Sequence, residues 1–90
     1  MNKNFEVVVY GRVQGVGFRL SACRLAQSLG LTGWVQNRLN GSVYAVVEGK
    51  ETVCQAFIDW CRKGPSHARV DKIEISEGQL VGMIGFSVRH

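Results

Sequence analysis

The residues that could do chemistry begin with Gly11-Arg12-Val13-Gln14-Gly15-Val16-Gly17-Phe18-Arg19, where three glycines fall within seven residues and two arginines accompany them. Glycine permits positive φ and lets backbone N–H groups approach a ligand closely. A helix N-terminus just after such a loop adds unpaired donors and partial positive charge. Arg19 can then supply a full charge and a bidentate fork. The chemistry is capture of a phosphate-like anion. Local composition alone does not separate this from a tight connection whose glycines only turn the chain. Two other phosphate loops are excluded. No glycine precedes lysine in a Gly-x-x-x-x-Gly-Lys pattern, and Leu20 stands where a dinucleotide loop would need a third glycine after Gly15 and Gly17.

The flanking elements must position that loop. Phe5 to Tyr10 is rich in β-branched and aromatic residues and reads as a strand. From Phe18 onward, Ala22, Leu25, Ala26 and Leu29 form one stripe of a helix that Gly30 ends. Thr32 to Leu39 and Ser42 to Glu48 read as strands, joined by Asn40-Gly41 in a two-residue hairpin turn whose central positions both take positive φ. Glu51 to Arg62 reads as a second helix with Val53, Ala56, Phe57, Trp60 and Cys61 on its buried face. Gly64-Pro65-Ser66 breaks it. Ala68 to Ile75 and Phe86 to Arg89 are strand-like, with Ser76 to Gly82 a loop between them. Trp60 is assigned to the core, while Trp34 either packs on a sheet face or flanks a site.

The order β-α-β-β-α-β, with a short last strand, describes an α+β ferredoxin-like sandwich: an antiparallel sheet with two helices on one face. Ninety residues with 46% hydrophobic content suit a single domain spanning 1–90. The net charge of +4 suits an anionic partner, such as a small phosphate ester, a nucleic acid or a membrane surface. No apolar run approaches the length of a membrane span or a signal-peptide core. Cys23, Cys54 and Cys61 are odd in number and widely spaced, which fits a reducing, cytoplasmic compartment. His67 and His90 stand apart, without a Cys-x-x-Cys pair or an acidic companion at ligand spacing, so no metal site is expected.

The glycine loop, Gly11 to Arg19, resembles the first signature of the acylphosphatases residue for residue. Gly33-Trp34-Val35-Gln36-Asn37-Arg38-Leu39-Asn40-Gly41-Ser42-Val43, followed by Gly49, resembles their second. The likeness extends through the Gly64-Pro65 break, Ala68-Arg69-Val70 and the phenylalanine of the last strand. It implies hydrolysis of acyl phosphates to a carboxylate and inorganic phosphate, with no metal or organic cofactor. By the same resemblance, Arg19 binds the phosphoryl group, the N–H groups of Gln14, Gly15, Val16, Gly17 and Phe18 join it, and Asn37 orients the attacking water.

Physical chemistry agrees with so small a cast. The leaving group is a carboxylate whose acid has a pKa of roughly 4 to 5, so its departure needs no general acid. What remains is to align water and to stabilise charge on the phosphoryl oxygens. Leu20 stands where the family often has an aromatic residue, and Glu77 to Ile84 is not distinctive. Both bear on substrate preference. The expected partner is a small-molecule acyl phosphate, with a monomeric chain and neither nucleic acid nor membrane involved. The alternatives are a phosphate-binding regulatory module and an RNA-binding module of the same topology. Ser42 to Glu48 lacks the aromatic pattern that the RNA-binding module needs on its central strand.

Overall fold

The computed structural model describes residues 1–90. In chain order its elements are β1 (Asn2–Arg12), α1 (Phe18–Ser28), β2 (Thr32–Asn37), β3 (Val43–Lys50), α2 (Glu51–Cys61), β4 (Arg69–Gly78) and β5 (Phe86–Arg89). The sheet order is β4-β1-β3-β2-β5, so the first four strands have the ferredoxin-like arrangement, with β5 added at one edge. Alternation along the strands sends Val7 and Val9 of β1, Val35 of β2 and Val43, Ala45 and Val47 of β3 into the core. There they meet Ala22 and Ala26 of α1 and Phe57 and Ile58 of α2.

The sheet is mixed rather than wholly antiparallel, because β5 runs parallel to β2, with Gly33 opposite Phe86 and Gln36 opposite Arg89. The reason lies in the crossing. β4 continues to Gly78, pairing Ser76 with Glu6 and Gly78 with Asn4, beyond the Ile75 limit read from sequence. Residues 79–85 then pass to the opposite edge at the same end of the sheet, so the last strand must enter in the direction of β2. Glu48 fixes that passage: its carboxylate accepts from the N–H groups of Val81 and Gly82, both at 2.8 Å, and from Asn4 Nδ2 at 3.0 Å. Burial by itself would push this carboxyl's pKa up. The bonds from Asn4 and the backbone N–H groups of Val81, Gly82 and Met83 outweigh burial and hold it below the ordinary carboxylate value.

Two further expectations are corrected. The β2–β3 hairpin forms, but of its Asn-Gly pair only Gly41 has positive φ, at 91°. Gly41 N–H donates to Arg38 O at 3.1 Å and Arg38 N–H to Ser42 O at 2.9 Å, so the connection is a longer loop ending in a glycine bulge. The Asn40 side chain accepts from the Ser42 hydroxyl at 2.6 Å and from its N–H at 3.1 Å, a local bond that stabilises this alternative. In α2 the buried stripe is Cys54, Phe57, Ile58 and Cys61; Ala56 is exposed and Trp60 half-buried. Trp60 covers the flank of the core, its ring 5.1 Å from that of Phe18.

Candidate active site

The glycine loop turns from β1 into α1 at the end of the sheet that also carries the β2–β3 hairpin. Gly15 and Gly17 both lie in the left-handed region, at φ 75° and 78°, where a side chain would be strained. Gly17 is the N-cap of α1 and supplies no side-chain cap, and the first turn contains no acidic residue. No loop, turn or cap hydrogen bond uses the N–H of any residue from Gly15 to Leu20 as donor. The result is a run of backbone donors at the positive end of a helix dipole. Beneath it, Phe18 is buried against Trp60 and anchors the helix start.

The Gln14 side chain braces this loop. Its Nε2 donates to the carbonyls of Arg38, at 2.7 Å, and Ser42, at 3.0 Å, tying the loop to the hairpin. The brace sets the glycine loop beside Asn37, the last residue of β2. Asn37 Oδ1 is buried and is the one buried side-chain oxygen or nitrogen in the protein without a hydrogen-bond partner. Such an atom is costly unless something outside the protein satisfies it.

Arg19, in the first turn of α1, is half-buried. Its Nη1 donates to Arg89 O at 3.2 Å and lies 3.3 Å from His90 Nδ1. It takes part in none of the ion pairs of the protein, so its charge is uncompensated. Gly15, Gly17, Phe18, Arg19 and Asn37 all line one cavity of about 390 Å³. A cation, free backbone donors and the Asn37 side chain therefore border the same space. The nearby Arg38 and Arg89 are turned away, their guanidiniums lying 3.9 Å from the Tyr44 ring centre and 4.1 Å from that of Trp34. Trp34 thus packs on the open face of the sheet. No cluster of three or more His, Cys, Asp or Glu residues suited to a metal ion occurs in the chain.

The family described as acylphosphatase matches residues 5–88. An acylphosphatase of Thermococcus kodakarensis is 48% identical over 80 residues, covering 89% of this chain and 88% of that protein. The crystal structure of acylphosphatase from Bacillus subtilis superposes with a TM-score of 0.94 at 36% identity, covering 100% of both chains. An acylphosphatase structure from Coxiella burnetii gives 0.94 at 35% identity, over 98% of this chain and 93% of that one. The chain belongs to the acylphosphatase family. Its activity is the hydrolysis of acyl phosphates.

Five of the seven site residues expected of an acylphosphatase meet at the cavity. The side chains of Gln14 and Val16 are engaged elsewhere: that of Gln14 is the brace, and that of Val16 packs against the core. Val13, Leu20, Val88 and His90 line it without having been singled out as site residues. Leu20 had a signal in the sequence, as the departure beside Arg19. Val88 and His90 had none, because their place depends on β5 pairing with β2 across the whole intervening chain.

Proposed function

We propose that the cavity is the catalytic site, with Arg19 and the N–H groups from Gln14 to Phe18 holding the phosphoryl group of an acyl phosphate and Asn37 aligning the attacking water. The observation that carries this reading is that Asn37, whose Oδ1 has no hydrogen-bond partner in the protein, lines the same cavity as an uncompensated arginine. A water oriented by the Asn37 side-chain amide keeps a lone pair free to attack phosphorus. As the water oxygen bonds to phosphorus, the bond to the acyl oxygen breaks and its electron pair leaves on the carboxylate. The water's proton passes to a phosphoryl oxygen, giving inorganic phosphate. The guanidinium and loop donors offset charge on the phosphoryl oxygens, where such stabilisation counts most. Neither a metal nor an acid is called on, since a carboxylate is already a good leaving group. Residues 1–90 act in this reading as one monomeric catalytic unit.

The deciding experiment follows benzoyl phosphate hydrolysis by its ultraviolet absorbance in excess EDTA, beside an Arg19→Ala variant. The expected result is rapid turnover by the wild type and a loss of about a thousandfold in kcat/KM in the variant, the scale of one essential phosphoryl contact. Turnover that needs added metal, or an Arg19→Ala variant as active as the wild type, would refute this assignment. A folded wild type that binds phosphate without turnover would point instead to a regulatory phosphate-binding module.

A further inference from the structure

The end of β5 brings a second ionisable group to the cavity. His90 lines it together with Arg19, and its Nδ1 stands 3.3 Å from Arg19 Nη1. The guanidinium can only donate, so a hydrogen bond in that contact requires Nδ1 as its acceptor. The His90 carbonyl accepts from Gln36 Nε2 at 3.4 Å, holding the residue against β2. The other charged group beside it, Arg89, is directed onto Trp34 on the opposite face of the sheet, and Arg38 of the hairpin onto Tyr44. None of the ion pairs includes Arg19, Arg89 or His90. The guanidinium of Arg19 is thus the cation in contact with the imidazole, and no side-chain carboxylate pairs with either group.

We propose that His90 is a second anion-binding residue of this pocket, which takes up a proton when a dianion binds and then donates to it beside Arg19. This rests on the reading of the cavity as a phosphoryl site. Protonated imidazole has two donors and no acceptor, so it loses its bond to Arg19 and the two cations repel. A dianion between them removes the repulsion and gains a charge-assisted bond from each. Anion binding and proton uptake at His90 are therefore linked, and each must favour the other equally. The ligand class is the tetrahedral dianion: the phosphoryl group of the substrate and the phosphate product.

Sulfate is the suitable probe, because it stays a dianion over the range in which imidazoles titrate, whereas phosphate does not. Sulfate affinity is measured by calorimetry at about pH 5.5 and about pH 8, either side of the imidazole range, for the wild type, His90→Gln and Arg19→Ala. Wild type is expected to bind roughly tenfold more tightly at the lower pH, the scale of one charge-assisted hydrogen bond. His90→Gln is expected to bind with the same affinity at both. In parallel, saturating sulfate is expected to raise the NMR titration midpoint of His90 while leaving that of His67 unchanged. Equal pH dependence in wild type and His90→Gln, or a His90 midpoint that ignores sulfate, would overturn the proposal while leaving the phosphoryl site intact. Failure of the wild type to bind sulfate at either pH would overturn both.

Discussion

Replacing Asn37 with alanine separates the chemistry of this site from its stability. Oδ1 of Asn37 is buried and accepts no hydrogen bond from the protein, so alanine removes no bond through this atom on which the fold depends. Leaving a buried carbonyl unpaired costs about 1–3 kcal/mol. Relief of that cost offsets the packing lost by truncating a half-buried side chain at a strand end. The net change is therefore expected within about 1 kcal/mol, or a Tm shift below about 8 °C for a domain of this size. Catalysis responds differently. A nucleophile displaced by about 1 Å loses about a hundredfold in rate, or about 2.7 kcal/mol of barrier.

The expected outcome is thus a fall in kcat of at least that size at nearly unchanged Tm. KM should stay within about threefold of wild type, because Arg19 and the loop donors are untouched. Benzoyl phosphate kinetics across a range of substrate concentrations, with thermal unfolding of the same samples, gives all three quantities. A kcat within about threefold of wild type would refute water alignment by Asn37. So would a loss of activity that merely tracked a large fall in Tm, since the role would then be structural.

Gly33→Ala is expected to destabilise by more than about 4 kcal/mol, because φ there is 139° and a Cβ would lie 1.8 Å from the carbonyl oxygen of Val46, a backbone atom of the paired strand. A shift in unfolding free energy below about 1 kcal/mol in urea titrations would contradict that geometry. Gly17→Ala meets no atom within 4 Å, so only its φ of 78° opposes it, and the same assay should show about 1–2 kcal/mol. The depressed carboxyl pKa of Glu48 contributes stability that is complete above the unfolded value of about 4.3 and is lost as pH falls through the lower folded value. Urea midpoints measured on acidification should therefore fall more steeply for wild type than for Glu48→Gln, and parallel curves would show that Glu48 does not supply this pH-dependent stability.

The part of the site built from local sequence was legible. Gly15 and Gly17 take the positive φ that their loop requires, and the Phe18, Ala22, Ala26 stripe places the helix start directly after them. The part built by long-range pairing was not. His90 and Val88 reach the cavity because residues 79–85 cross the end of the sheet, a path held by the Glu48 carboxylate on two backbone N–H groups. Nothing in the composition of that segment signals the bond. The face of α2 failed for another reason. Val53, Cys54, Ala56, Phe57, Ile58, Trp60 and Cys61 are apolar over more than half the helix circumference, so two overlapping stripes both satisfy the helical period. Contact with the sheet selects the stripe through Cys54 and Ile58 and leaves Ala56 in solvent.

The distribution of ionisable groups explains how so small a fold can hold a hydrolytic site. A general acid or base of tuned pKa needs burial, and a buried carboxylate must be satisfied by several donors to be tolerated. Glu48 is the only buried ionisable carboxylate here, and its donors come from two segments: Asn4 on β1 and the N–H groups of the crossing loop. It lies at the opposite end of the sheet from the cavity, where it holds β5 in place. At the cavity the proposed mechanism calls on a guanidinium, an amide and backbone N–H groups, none of which changes charge near neutral pH. Arg19 sits at the unfavourable end of the α1 dipole, with no acid in the first turn to offset it. In the proposed mechanism a bound dianion reverses that electrostatic conflict, so the charge that strains the helix start would be the one that gives the site its affinity for the phosphoryl group.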